Sequence, residues 1–126
     1  MKLNKKQWCE VKEKKLIFVC SPYSGDIEKN TVKAKEIARS IIDEGNVPFV
    51  PHLYFPVFLD ESKEDERELG INLGSMFLVF CDELRVYGLI TRGMKKEIDV
   101  AVKINCLLLK LGRDKIEITY IPKYFE

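Results

Sequence analysis

Glu97 has the setting that most suggests chemistry. It stands six residues after Thr91 and four after Gly93, where Met94, Ile98, Ala101 and Val102 recur at i, i+4, i+7 and i+8. That period is one face of a helix, and Glu97 falls on or beside it, turned toward the body of the protein. A carboxylate so placed must meet a partner, or water in a cleft, because burying it alone is costly. Thr91 suits the N-cap, and Gly93 lets a ligand approach the first helical turn. The helix N-terminus favours the ionised carboxyl. Such a group can serve as a nucleophile, or it can be an edge glutamate paired with Lys or Arg.

Three other places carry polar groups of the right kind. Ser21-Pro22-Tyr23-Ser24-Gly25-Asp26 joins a short apolar run to a helical pattern. Backbone N–H groups at a helix start can hold an anion such as phosphate; the same residues can be a turn capped by Ser24 or Asp26. The loop has neither the G-x-G-x-x-G pattern nor a Walker lysine, so a dinucleotide or triphosphate site is not indicated. His52 lies in Pro51-His52-Leu53-Tyr54-Phe55, where aromatic rings either pack or stack on a base. Asp82 and Glu83 follow the strongest apolar run, Met76–Cys81, and can orient a substrate or cap a loop. The Asp60–Glu68 stretch has six acids against two basic residues and reads as a solvated face, from which one of Glu66, Arg67 and Glu68 can point into a cleft.

The elements that must position these groups alternate. Leu16–Cys20 reads as a buried strand. Ala34, Ile37, Ala38, Ile41 and Ile42 mark a helix that Gly45 ends. Val47–Pro51 is a short strand whose two prolines suit a sheet edge. Acids then open a helix leading into Leu69, Ile71 and Leu73. Met76–Cys81 is expected to be the third strand and Asp82–Arg92 a loop. Cys106–Leu109 is a fourth strand or the end of the Glu97 helix, and Ile116–Tyr120 alternates as a last strand. A β-α-β-α-β-α-β order favours an α/β fold, a mainly parallel sheet of four to five strands with helices on both faces. Ligands of such sheets bind beyond the carboxyl ends of the strands. The loops after Cys20, Val50 and Cys81 are therefore the ones that matter.

Composition narrows the classes. At 126 residues the chain is one domain, expected to span residues 15–126 behind a basic extension, residues 1–14. Its 21 basic and 20 acidic side chains leave a net charge of +1, unlike a dedicated binder of nucleic acid polymers. No apolar run approaches the roughly 18 residues of a membrane helix. The lysine-rich start has no apolar core and is not read as a signal peptide, so a cytoplasmic protein is expected. Cys9, Cys20, Cys81 and Cys106 form no C-x-x-C pair and read as small buried thiols. With His52 as the only histidine, no metal site is expected.

Taken together, Ile17-Phe18-Val19-Cys20-Ser21-Pro22-Tyr23-Ser24-Gly25-Asp26, Pro51-His52-Leu53, Cys81-Asp82-Glu83 and Thr91-x-Gly93-x-x-x-Glu97 resemble the nucleoside 2-deoxyribosyltransferase superfamily over about Lys15–Leu109. The chain looks most like small bacterial and phage members and is similar to the 2′-deoxynucleoside 5′-phosphate N-hydrolases. The resemblance implies a flavodoxin-like (Rossmann-like) sheet, with Glu97 as the nucleophile that attacks the anomeric carbon and expels the base. The sugar then passes to water or to another base, through a covalent intermediate as in retaining glycosidases. It implies that Ser21, Ser24 and Gly25 lie under the sugar-phosphate, and that Thr91 and Gly93 hold the 5′ end. It further implies that Tyr23 lines the sugar pocket and that Asp82 orients the base or a sugar hydroxyl. Glu66, Glu68 and Asp82 are the candidates for the acid that orients the nucleophile. No cofactor is implied; the partners are a nucleoside or nucleotide and a second copy of the chain in a homodimer or larger homo-oligomer. The hydrolase branch supplies arginines near the first loop, where this chain has Asp26; Arg92 or Lys95 are the cations that can replace them. A nucleotide-binding sensor or accessory module without turnover is the alternative, since a fold of this kind can persist without its activity.

Overall fold

A computed structural model describes residues 2–122, apart from the side chains of Trp8, Cys9, Val11 and Lys12. Helix α1 (Lys5–Glu13) leads into strand β1 (Leu16–Cys20), helix α2 (Ile27–Asp43) and strand β2 (Val47–Phe49). Helix α3 (Glu64–Ser75), strand β3 (Glu83–Tyr87), helix α4 (Arg92–Lys110) and strand β4 (Glu117–Ile121) follow. The basic extension is thus helical. The expected burial of Cys9 lies outside the described residues.

The four strands form one parallel sheet in the order β2-β1-β3-β4. This is the α/β, flavodoxin-like arrangement, with β2 and its proline at an edge. The chain leaves β1 in one direction for β2 and returns past it to β3. The order therefore reverses between β1 and β3, the place where doubly wound sheets bind ligands.

Period-two alternation divides the core. Ile17 and Val19 face Ala34, Ile37 and Ile41 of α2, whereas Phe18 and Cys20 face the side holding Met94 and Ala101 of α4. Helices thus cover both faces, and α3 packs beside α4. Asp26 caps α2, its Oδ1 accepting from the Lys29 N–H at 3.1 Å. At the other end Gly45, at φ 90°, closes the helix, with Gly45 N–H donating to Ile42 O and Asn46 N–H to Ile41 O. That pair of bonds satisfies the last carbonyls and needs a left-handed residue, hence glycine.

One expected strand is displaced. Met76–Phe80 is a 3-10 helix, and the third strand is Glu83–Tyr87 within the stretch expected as a loop. Three residues per turn set Ser75, Leu78 and Cys81 on one side, and those three are buried while Met76, Val79 and Phe80 are exposed. Phe77 stacks on Phe49, with ring centroids 4.3 Å apart. The strand escaped notice because Glu83 and Arg85 break its apolar pattern. The fold neutralises them together: Arg85 Nε donates to Glu83 at 2.8 Å, and its Nη1 to Glu44 at the end of α2 at 2.9 Å. Cys106–Leu109 is helix end rather than strand. Cys20 and Cys81 are buried thiols as expected, but Cys106 is exposed, on the outer side of α4. No helix among the described residues is long and apolar enough to cross a membrane.

Arg85→Met leaves the Glu83 carboxylate buried without its cation. It is expected to cost about 3 kcal/mol in denaturant unfolding. Glu44→Ala removes the outer, exposed partner and is expected to cost about 1 kcal/mol or less. Equal effects of the two would overturn this division of the network.

Candidate functional site

A narrow cleft of about 40 Å³ opens at the carboxyl ends of β1 and β3. Tyr23 and Ser24 reach it from the β1–α2 loop, and His52 and Phe55 from the short 3-10 turns after β2. Thr91, Gly93 and Glu97 reach it from the start of α4, and Glu61 and Arg67 from ahead of and within α3. It joins a second recess of about 180 Å³, lined among others by Arg92 and Lys96, with Glu61, Arg67, Ile71 and Gly93 shared between the two.

Thr91 holds the head of α4, its Oγ1 accepting from the Met94 N–H at 3.3 Å. The next helical turn carries Glu97 inward, to 2% exposure. Among the described residues no Lys or Arg pairs with it, and its Oε1 has no hydrogen-bond partner. Burial pushes its carboxyl up to about 8, against a smaller pull downward from the Cys20 thiol. At neutral pH the group is therefore mostly protonated, contrary to what the helix N-terminus alone favours. Desolvation outweighs the dipole here.

Ser21 is fully buried beneath the cleft, and its Oγ also lacks a partner. Its carbonyl accepts at 2.8 Å from His52 Nε2, which fixes Nε2 as the protonated nitrogen of the neutral ring. Burial holds His52 down to about 4, so it stays neutral through the physiological range. Tyr23 stacks on it, ring centroids 4.9 Å apart. His52 and Tyr23 thus brace each other and form one flat wall. Gly25 does not line the cleft; at φ 98° it turns the loop toward α2. A Cβ on Gly93 would lie 3.5 Å from Ile71, an ordinary contact, so this glycine leaves space without being sterically required.

The placement expected for Asp82 is wrong. Because the third strand begins at Glu83, Asp82 stands at the amino end of the sheet, opposite the cleft. There its Oδ2 accepts from the Leu16 N–H at 2.7 Å. It cannot touch a ligand held by Glu97. Glu66 and Glu68 are also engaged elsewhere, Glu66 with the Asp60 N–H and Glu68 with Lys96. The second carboxyl on the cleft is Glu61, raised by its own desolvation. Of the three residues of the acidic run expected to reach a cleft, Glu66, Arg67 and Glu68, it is Arg67 that lines this one, and Glu61 was not among them. The available signal was Gly70 and Gly74, one turn apart on α3. A Cβ at Gly74 would lie 3.3 Å from Pro51 and 3.4 Å from Phe55, and one at Gly70 3.6 Å from Glu61. That close approach folds the segment between β2 and α3 over the cleft and carries Glu61 with it. Among the described residues no three His, Cys, Asp or Glu side chains gather as metal ligands would.

A family model described as a domain of unknown function, DUF7768, matches residues 15–109, most of the chain. No curated protein matches it.

A neutral buried carboxyl has a thermodynamic signature. The folded protein keeps on Glu97 a proton that the unfolded chain releases near 4.5, so stability is lost as pH rises from there to about 8. The slope is about 1.4 kcal/mol per pH unit. Glu97→Gln abolishes it, and the melting-temperature advantage of the variant is expected to grow across that window and level off above it. Parallel curves for the two proteins in scanning fluorimetry would exclude a protonated Glu97.

Proposed function

The chain belongs to the DUF7768 family, and from the geometry of its cleft we propose that it cleaves or transfers at the N-glycosidic bond of 2′-deoxynucleosides or their 5′-monophosphates. The observation that carries this reading is the Glu97 carboxyl. It is buried, forms no ion pair among the described residues, and has one oxygen unpartnered where the strand-end loops meet.

In this reading an ionised Glu97 oxygen attacks the anomeric carbon as the C–N bond breaks. The base leaves with the bonding pair and takes a proton, which Glu61, the other carboxyl on the cleft, supplies. The resulting ester is opened by water in hydrolysis, or by a ring nitrogen of a second base in transfer; the proton of the attacking group returns to Glu61, and Glu97 leaves as the carboxylate. The wall of Tyr23 and His52 offers a flat face to sugar or base. The adjoining recess carries Arg67 and Arg92 beside Glu61 and Glu64, with Lys96 paired to Glu68, and in this reading the two arginines take a 5′-phosphate. No metal or cofactor enters these steps. The working unit in this reading is a homodimer or larger homo-oligomer. An apolar groove of about 350 Å³ between Tyr54, Phe55, Leu73, Met76, Phe77 and Phe80 supports it, sharing Phe55 with the cleft.

One observation favours a second reading, a nucleotide-binding module without turnover. Glu97 is mostly neutral at pH 7, so the nucleophile is not poised.

The protein is incubated with a panel of deoxynucleosides and deoxynucleoside monophosphates, and free base is measured. Release is expected to fall to background in Glu97→Ala, and kcat/KM to rise with pH through about 8 as Glu97 ionises. Release that survives the substitution refutes Glu97 as nucleophile. Saturable binding with no release favours the binding module. A second free base in the mixture separates transfer from hydrolysis. For the assembly, Phe80→Glu alters an exposed side chain and is expected to reduce the light-scattering mass to a single chain; an unchanged mass removes this groove as the interface.

A further inference from the structure

Strand β1 ends on Cys20, a fully buried thiol at the base of the cleft. Its Sγ lies 3.7 Å from the carbonyl oxygen of Met94 in the first turn of α4. The carboxyl of Glu97, one helical turn further along the same buried face of α4, is its other polar neighbour. A thiol carries one proton on a freely turning S–H bond, so this proton has two acceptors to serve. Burial and the neighbouring carboxyl both hold the thiol well above its ordinary range. It therefore remains a donor throughout and never competes as a base or nucleophile.

We propose that Cys20 is a positioning residue for Glu97, its S–H resting on the Met94 carbonyl while Glu97 is neutral and turning onto a carboxylate oxygen when Glu97 ionises. The other oxygen is then left toward the cleft. The physical reason is the difference between the acceptors. An S–H is a weak donor to a neutral carbonyl and a better one to a charged oxygen, and in a site without water even a weak donor counts. The other titratable groups of the cleft stand on its open side: Tyr23 from the β1–α2 loop, His52 from the 3-10 turn, and Glu61 and Arg67 from the α3 side. From the sheet side Cys20 is the donor that meets the carboxyl, and Ser21 beside it is oriented through its carbonyl to His52.

This inference deepens the reading of Glu97 as a nucleophile, but its central measurement needs no turnover. The protonated carboxyl of Glu97 is titrated by infrared difference spectroscopy, its band identified by loss in Glu97→Gln. Cys20→Ala is expected to raise the midpoint by about one pH unit, a tenfold change in acidity. Cys20→Ser supplies a stronger donor and is expected to lower it below wild type. In the base-release assay Cys20→Ala then loses about tenfold in kcat/KM at neutral pH and recovers above its new midpoint, which a merely destabilised protein would not do. An unmoved midpoint in folded Cys20→Ala overturns the proposal. Should that variant not fold, a midpoint in Cys20→Ser at or above wild type overturns it instead. A shifted midpoint in a protein that releases no base leaves the positioning role standing and refutes the enzymatic reading.

Discussion

A carboxyl group sealed against the sheet is the constraint on which the candidate site depends. Glu97 is held there because α4 must lay Met94 and Ala101 on the sheet face formed by Phe18, Cys20, Leu84 and Val86. The helix cannot bury that stripe without taking Glu97 with it. The desolvation cost falls on one residue and is carried by the packing of the whole helix. Every other feature of the cleft is arranged around this fact. Thr91 fixes where the helix begins, the β1–α2 loop closes over its start, and the His52 ring is held against that loop through the Ser21 carbonyl.

Much of this was legible because local and global patterns agree. The apolar run of β1, the spacing of α2 with its Gly45 stop, and the Thr91–Glu97 helix each follow from one period and one cap. The parallel sheet follows from their alternation. What failed did so where tertiary structure overrides pattern. Met76–Phe80 has strand-like composition, yet it follows directly on α3 and buries one residue in three as a 3-10 helix. The true third strand hides behind Glu83 and Arg85, whose charges are admissible only because Glu44, 41 residues earlier than Arg85, completes the network. Nothing local reveals a partner at that distance. The same displacement moved Asp82 from one end of the sheet to the other. Glu61 was missed for the opposite reason: it sits among acids that do face solvent, and only the close packing allowed by Gly70 and Gly74 separates it from them.

The cleft also shows two ways of keeping titratable groups neutral. His52 is held neutral by burial and has a use as such, donating one N–H to a carbonyl and offering its face to Tyr23. Glu97 is held neutral by burial but with an oxygen left unpartnered. Satisfied groups of the first kind stiffen a structure, whereas unsatisfied ones of the second kind mark a place where it is not at its most stable.

The sheet order has a consequence for how the chain comes to be folded at all. β1 is a central strand, and its second neighbour, β3, begins just after Asp82, which lies 66 residues beyond Leu16 and exchanges hydrogen bonds with it. During synthesis from the amino end, Ile17, Phe18, Val19 and Cys20 must wait with one edge unpaired until the chain has extended past Tyr87. Pairing at such separation is slow to form. The most apolar strand in the protein is therefore also the one longest exposed to wrong partners, and the early, local closure of α2 over one of its faces shortens the list of what it can meet.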